Sequence, residues 1–319
     1  MRPRSLAVAV PPRPAGPRTV VVGDLALDVV VTPSASLQRG TDVPGQVSFR
    51  QGGSAATTAR WLGRLGARSS LVCAVGRDAP GRALVALLRD GGVTVQAVRP
   101  AGSRTCRIAV LAELDGERSF VADRAAADSL SPEHLRAAWF AGAEVLHLPA
   151  YSLLGEPLGR AGRAAADLAR EAGALVSLDL ASAGPLLAEG RETARAAVRQ
   201  LAPALLFATV AEADVLLDGR PLDDLLGLVP LAVVKRGPKG ATVLAREGRS
   251  RLRFEVATRP LEAVDSIGAG DAFDAGFLVA WLAERRAGAS LARGLQRAVL
   301  AGHRAAARHL AAPRAELAF

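Results

Sequence analysis

The sequence predicts an α/β protein: a doubly wound, mostly parallel sheet with helices on both faces, and a small β-sheet lid. Three observations lead there. Short, continuously apolar segments alternate with segments of helical spacing along most of the chain, the pattern of strands covered on both faces. Two regions interrupt that alternation with extended pieces and no helix. Finally, 319 residues, half of them apolar and 22% charged, suffice for one large core of globular composition.

The elements follow in order. Residues 1–17 read as a flexible Pro/Arg-rich leader, because the apolar patch "LAVAV" is too short for a secretory core and prolines follow it. Residues 18–319 read as one domain. "RTVVVGDLALDVVV" is a buried strand ending at Gly23, then a second extended piece. In "SAATTARWLGRLG", Ala55, Ala59, Leu62 and Leu65 share one helical face. "SSLVCAVG" is a short strand and "GRALVALLRDGG" a helix closed by glycines. The strands return as "AEVLHL", "GALVSLDL", "PALLFAT" and "LAVVKRG", each with a helix-compatible segment after it. The lid is assigned to about 28–50 and 93–123, where Asp115-Gly116 between two extended runs signals a hairpin.

Composition excludes several classes. No apolar run approaches the roughly 20 residues that span a bilayer, so no membrane partner is expected. Cys73 and Cys106 have neither disulfide-framework nor zinc spacing, which fits a reducing cytoplasm. The net charge of +9 is spread over scattered arginines, with Lys235 and Lys239 the two lysines and aromatics at 4%. That is not the footprint of a nucleic-acid binder. His134, His147, His303 and His309 lack metal-ligand spacing and read as structural or solvated.

The stretch "DSIGAGDAFDAGF", Asp265 to Phe277, carries the chemistry. An extended segment leads through a glycine turn into a long helix, and loops at the carboxyl ends of such strands hold ligands. Gly268 and Gly270 let backbone amides approach an anion at the positive end of a helix. Asp271 in the first turn is placed to take a proton from an attacking hydroxyl, as phosphoryl transfer requires. Asp274, one turn later, reads as a variable helix position. A Walker A loop, a dinucleotide fingerprint and the protein-kinase motif set are all missing.

Five segments in order, "VVVGDLALD", "GGSAATTARWLGRLG", "AVGRDAPG", "VVKRGPKGA" and "DSIGAGDAFDAGF", resemble the ribokinase-like, PfkB-type carbohydrate kinases over nearly the whole chain after the leader. The resemblance implies ATP-dependent phosphoryl transfer to a hydroxyl of a small sugar. It implies Asp271 as base, with Gly268, Ala269 and Gly270 beside it as the anion hole. Asp28, Gly52, Gly53 and Thr57 match substrate positions. Lys235, Gly237 and Gly240 match nucleotide contacts, with Arg236 and Lys239 either on phosphate or at a surface turn. Asp265 matches a carboxylate near the nucleotide and a monovalent-cation site. Glu212 matches the residue that holds Mg²⁺ through water. ATP, Mg²⁺ and a monovalent cation such as K⁺ are the implied cofactors, and the lid edges invite a homodimer. Three departures stand out: Thr57 where Asn is usual, Ala181 in place of another Asn, and Thr209 where an Asn normally accompanies Glu212. They put the sugar's identity in doubt and leave two alternatives open, a non-catalytic sugar- or nucleoside-binding regulator and a nucleoside kinase.

Overall fold

Val, Leu and Ala dominate the central strands, and their alternating side chains feed two cores. In β1 (Arg18–Val22), Val20 and Val22 join one core while Val21 joins the other, and in β10 (Leu205–Thr209), Leu206 and Phe207 divide likewise. Both layers therefore need covering, and each fully buried large side chain contributes about 1.5–3 kcal/mol. The computed structural model describes residues 16–112, 118–182, 184, 188, 190–261, 265–312 and 315–317. The leader through residue 15 and the Asp115-Gly116 turn lie outside the described residues.

The main sheet has nine strands in the order β13-β12-β11-β10-β9-β8-β1-β4-β5. Its members are β4 (Arg68–Ala74), β5 (Thr94–Val98), β8 (Val145–Pro149), β9 (Leu175–Asp179), β11 (Leu231–Lys235), β12 (Ala241–Glu247) and β13 (Ser250–Val256), besides β1 and β10. All pairings are parallel until β12 and β13, which are antiparallel. One face is covered by α1 (Ser54–Arg64), α2 (Ala79–Asp90), α6 (Ala269–Arg286) and α7 (Leu291–Ala311), and the other by α3 (Leu158–Glu171), α4 (Arg191–Leu201) and α5 (Val210–Leu217). No helix among the described residues is long and apolar enough to cross a membrane.

The lid is a separate four-stranded sheet, β3-β2-β6-β7, built from β2 (Ala26–Pro33), β3 (Gly45–Gly52), β6 (Cys106–Ala112) and β7 (Arg118–Asp123). Its extent corrects the expected second segment. Residues 94–98 are not lid but the parallel edge strand β5 of the main sheet, paired to β4 from Ser70↔Thr94 to Ala74↔Val98. The run "TVQAV" has no helix after it, which disguised it as part of the irregular region.

Candidate active site

The carboxyl ends of adjacent strands converge on one cleft. Asp24 follows β1, Tyr151 follows β8, Asp179 ends β9, Thr209 ends β10 and Lys235 ends β11. The N-terminal part of α6 meets these strand ends through the Lys235–Asp274 pair, and the lid reaches the preceding turn through Arg50 and Arg118 on Asp265. Gly268 caps α6 with φ +79, and a Cβ there would lie 3.1 Å from both Thr57 Cγ2 and His309 Cε1. Only glycine suits that left-handed, crowded position.

Asp271 stands in the first turn of α6. It is half-buried, and the Ser54 hydroxyl at the start of α1 donates to its Oδ1 at 2.6 Å. Burial pushes its carboxyl up to about 7; the Ser54 hydrogen bond and Lys235 pull it down, while Asp179 and Asp24 push it further up. A carboxylate that changes protonation near neutrality suits general-base work. First-turn amides have no intrahelical acceptor and are available to an anion. The expectation for Ala269 needs correction: its N–H donates to Ser266 O at 3.1 Å and closes the turn.

On the lid side, Asp28 shares a cross-strand row with Arg50 and Ile108. Its carboxylate lies against Gly52, where a Cβ would come within 1.8 Å of Oδ1, so that close approach is possible only without a side chain. Gly53 is the N-cap residue of α1. Thr57 is buried rather than open to the cleft, and its hydroxyl accepts only weakly, from Gln51 Nε2 at 3.4 Å. Its expected grip on substrate gives way to packing, with the methyl group against Gly268.

Asp265 is engaged by the lid. Arg50 Nη1 reaches its Oδ2 at 3.2 Å, Arg118 Nη2 reaches Oδ1 at 3.2 Å, and the Ile267 amide donates to Oδ1 at 3.0 Å. Both oxygens thus have protein partners, so a nucleotide or a monovalent cation at Asp265 would have to compete with two guanidinium groups. Lys235 is engaged as well. Its Nζ lies between Asp179 Oδ1 at 3.0 Å and both oxygens of Asp274 at 3.2 Å, so its hydrogen bonds go to these carboxyl groups. Asp274, taken for a variable helix position, is fully buried, and burial followed by Asp179 pushes its carboxyl well up while Lys235 opposes the shift.

Glu212 was expected to lack a partner, yet Thr209 supplies one. The Thr209 amide donates to Glu212 Oε2 at 2.7 Å and the Glu212 amide donates to Thr209 Oγ1 at 3.3 Å, a reciprocal capping box at the start of α5. One carboxylate oxygen is spent in that box, and burial raises the group's proton affinity. Gly237 and Gly240 bound a single 3₁₀ turn between β11 and β12. Beside it Arg236 pairs with Glu255, and Lys239 is exposed, which places both in a surface turn.

Ala181, on the loop after β9, adopts φ +59, and Ser182 N–H donates back to Leu180 O at 2.6 Å. That tight positive-φ turn is strained for alanine and easier for asparagine. Its neighbour Tyr151 has a phenol pushed up by burial and stacks near Arg124, whose charge meets Asp24 at 3.7 Å. The histidines are structural. Trp61 Nε1 donates to His309 Nδ1 at 2.9 Å, so Nε2 carries the hydrogen given to Ile267 O at 2.6 Å. His147 is buried beside Ser177 and kept neutral by burial, with its pKa lowered to about 4.

Sequence reasoning missed Ser54, Asp24, Arg50, Arg118 and the Lys235–Asp274 pairing. These depend on contacts between distant segments, unlike the capping box, whose T-x-x-E spacing at Thr209 and Glu212 is a local signal.

The sequence model described as pfkB family carbohydrate kinase matches residues 17–315. Probable fructokinase-3 of Arabidopsis thaliana is 31% identical over 265 residues, covering 80% of this chain and 74% of its own. Fructokinase-1 of Oryza sativa subsp. japonica is 32% identical, covering 80% of each. Among solved structures, adenosine kinase from Sinorhizobium meliloti superposes with a TM-score of 0.78 at 24% identity, covering 93% of this chain and 95% of that one. Fructokinase with bound ATP from Xylella fastidiosa gives 0.77 at 23%, covering 92% and 91%.

Proposed function

Because the chain belongs to the pfkB family of carbohydrate kinases, we propose that it moves the terminal phosphoryl group of ATP to a hydroxyl of a small sugar, with Asp271 as the base. The observation that carries this reading is the Asp271 carboxylate, half-buried at the mouth of α6, beside amides suited to an anion and with its pKa raised to about 7. Ser54 holds one carboxylate oxygen, so the other faces the task of accepting the sugar's proton. The Gly268, Gly270 and Asp271 amides would stabilise charge on the transferring oxygens. Asp28 would accept hydrogen bonds from sugar hydroxyls against the 52–53 glycines, and the 237–240 turn would border the nucleotide.

The curated relatives named above are fructokinases, which makes fructose the first acceptor to test. They give no support to the non-catalytic alternative. A ribokinase-like neighbour from E. coli in complex with ATP and Mg²⁺, and a fructokinase from Vibrio cholerae with fructose, ADP and calcium, support nucleotide and divalent-ion use. For Mg²⁺ the residues fit a hydrated ion: Glu212 keeps one carboxylate oxygen outside its capping box, and no group of three metal-ligating side chains is assembled among the described residues. Mg²⁺ prefers such sites, with waters and substrate phosphates completing its shell. When bound it would offset phosphate charge.

A lid-mediated homodimer fits the lid's outer face, where Phe49, Val29, Ala109 and Val121 form one cross-strand row and Phe49 and Val121 are exposed. Sedimentation of the protein and of Val121→Arg checks this; a wild-type monomer overturns it. A reducing cytoplasm is read from two free, buried thiols, Cys73 and Cys106.

The test of function is ADP release from ATP with fructose, other hexoses, pentoses and nucleosides, run beside Asp271→Ala. Sugar-dependent turnover that the variant loses is expected. Absence of turnover with every acceptor would sink the reading.

A further inference from the structure

We propose that Lys235, clamped between Asp179 and Asp274, is a positioning residue that braces the Asp271 turn from beneath and tunes Asp271 as a base. The inference rests on Asp271 acting as that base. Its starting point is the cluster's geometry. Lys235 at the end of β11 reaches across β10 to Asp179 at the end of β9, 3.0 Å away, and up to Asp274 on α6, 3.2 Å from each oxygen. The Phe207 ring from β10 lies 5.8 Å from Nζ and walls the cluster off from water. Side-chain exposures are 11% for Lys235, 5% for Asp179 and 0% for Asp274.

Two features tie this cluster to the catalytic turn. Asp274 sits one helical turn after Asp271, so the Lys235–Asp274 pair pins the first turns of α6 to the sheet. A Cβ on Gly270 would lie 3.3 Å from Lys235 Nζ, so the ammonium touches the turn itself. Charge then adds to contact. One ammonium faces two carboxyl groups, and burial pushes that of Asp274 well up, so the ammonium is held by more groups than a single ion pair needs.

The charged groups around Asp271 come from every neighbouring element. Ser54 on α1 donates to it; Asp24 after β1, with Arg124 behind it, and Tyr151 after β8 line the cleft; Asp179, Lys235 and Asp274 lie beneath; Glu212 on α5 borders Lys235. Within this set, Lys235 favours the ionised Asp271 and Asp179 opposes it. Removing either charge should therefore move Asp271 in opposite directions, which loss of packing alone would not do.

The experiment is the pH dependence of kcat/KM for wild type, Lys235→Met and Asp179→Asn, with thermal melts to establish folding. Lys235→Met should move the acid limb to higher pH and Asp179→Asn to lower pH, each by roughly half a unit to one unit. The KM for ATP should stay within about threefold, since the hydrogen bonds of Lys235 go to Asp179 and Asp274. Limbs that stay put, or that move together, overturn the proposal, as does a large rise in KM for ATP. Should Lys235→Met not fold, Asp179→Asn decides alone: its limb moves down or the proposal fails. Failure of the base itself is distinguishable, because an Asp271→Asn enzyme that stays active, or a wild type without an acid limb, would remove the premise instead.

Discussion

Asp265 and Asp271 bracket the same glycine turn, six positions apart in the chain, and the fold treats them oppositely. Asp265 is partly exposed and balanced by two guanidinium groups and an amide. Asp271, half-buried as well, receives a single hydroxyl, Ser54. The difference shows how one motif separates structure from chemistry. A carboxylate whose charge is fully answered holds parts together, whereas one whose charge is barely answered binds a proton readily. Asp265 thus couples lid to turn, and Asp271 is left reactive.

The comparison breaks if the two aspartates prove interchangeable. Asp271→Asn should lower kcat by about 10²–10⁴, the usual range for a lost general base. Asp265→Asn should lower it only about two- to tenfold, since part-exposed ion pairs are each worth about 0.2–1 kcal/mol. Steady-state kinetics on both variants checks this, and equal losses would refute the division of roles.

The pH profile sharpens it. A base works as its carboxylate, and Asp271's pKa is raised to about 7, so activity is present above that value and lost as pH falls through it. The expected result is a drop in kcat/KM of about tenfold per pH unit below the limb. A limb near pH 4 would mean that burial does not control this group.

Smaller effects test the lid's half of the comparison. Arg118→Ala should raise the sugar KM and the ratio of ATP hydrolysis to sugar phosphorylation by about two- to fivefold, because a looser lid admits water. Replacing K⁺ by Na⁺ or a bulky organic cation should leave kcat nearly unchanged, given that Asp265 already has its counter-charges. Smallest of all, Ala181→Asn should stabilise the fold by about 0.5–1 kcal/mol by easing the positive-φ turn. A thermal melt measures that gain.

The parallel sheet was legible because strands such as "VVV" and "LLFAT" are apolar on both faces, and the glycine turn before α6 was legible because glycines and an acidic first turn are local signals. β5 was misassigned because its partner β4 belongs to a different stretch of the chain, and pairing leaves no mark in a five-residue run. Lys235 was read as a nucleotide contact from its neighbours "RGPKG", whereas its role depends on Asp179 and Asp274, 56 and 39 positions away. Asp274 looked like one more polar helix residue; only the packing of α6 against β11 shows that it is interior. Thr57 and Ala181 were singled out as departures, but the packing of Thr57 against Gly268 and the strained turn at Ala181 required coordinates.

The Trp61–His309–Ile267 chain ends one residue from the cap of α6. The protein has three tryptophans, and this one is wired by two hydrogen bonds to the turn that would receive the phosphoryl group. Its fluorescence is therefore a built-in optical readout of that turn. Substrate and nucleotide titrations on a Trp139→Phe, Trp281→Phe background would follow the site's closure without any attached dye.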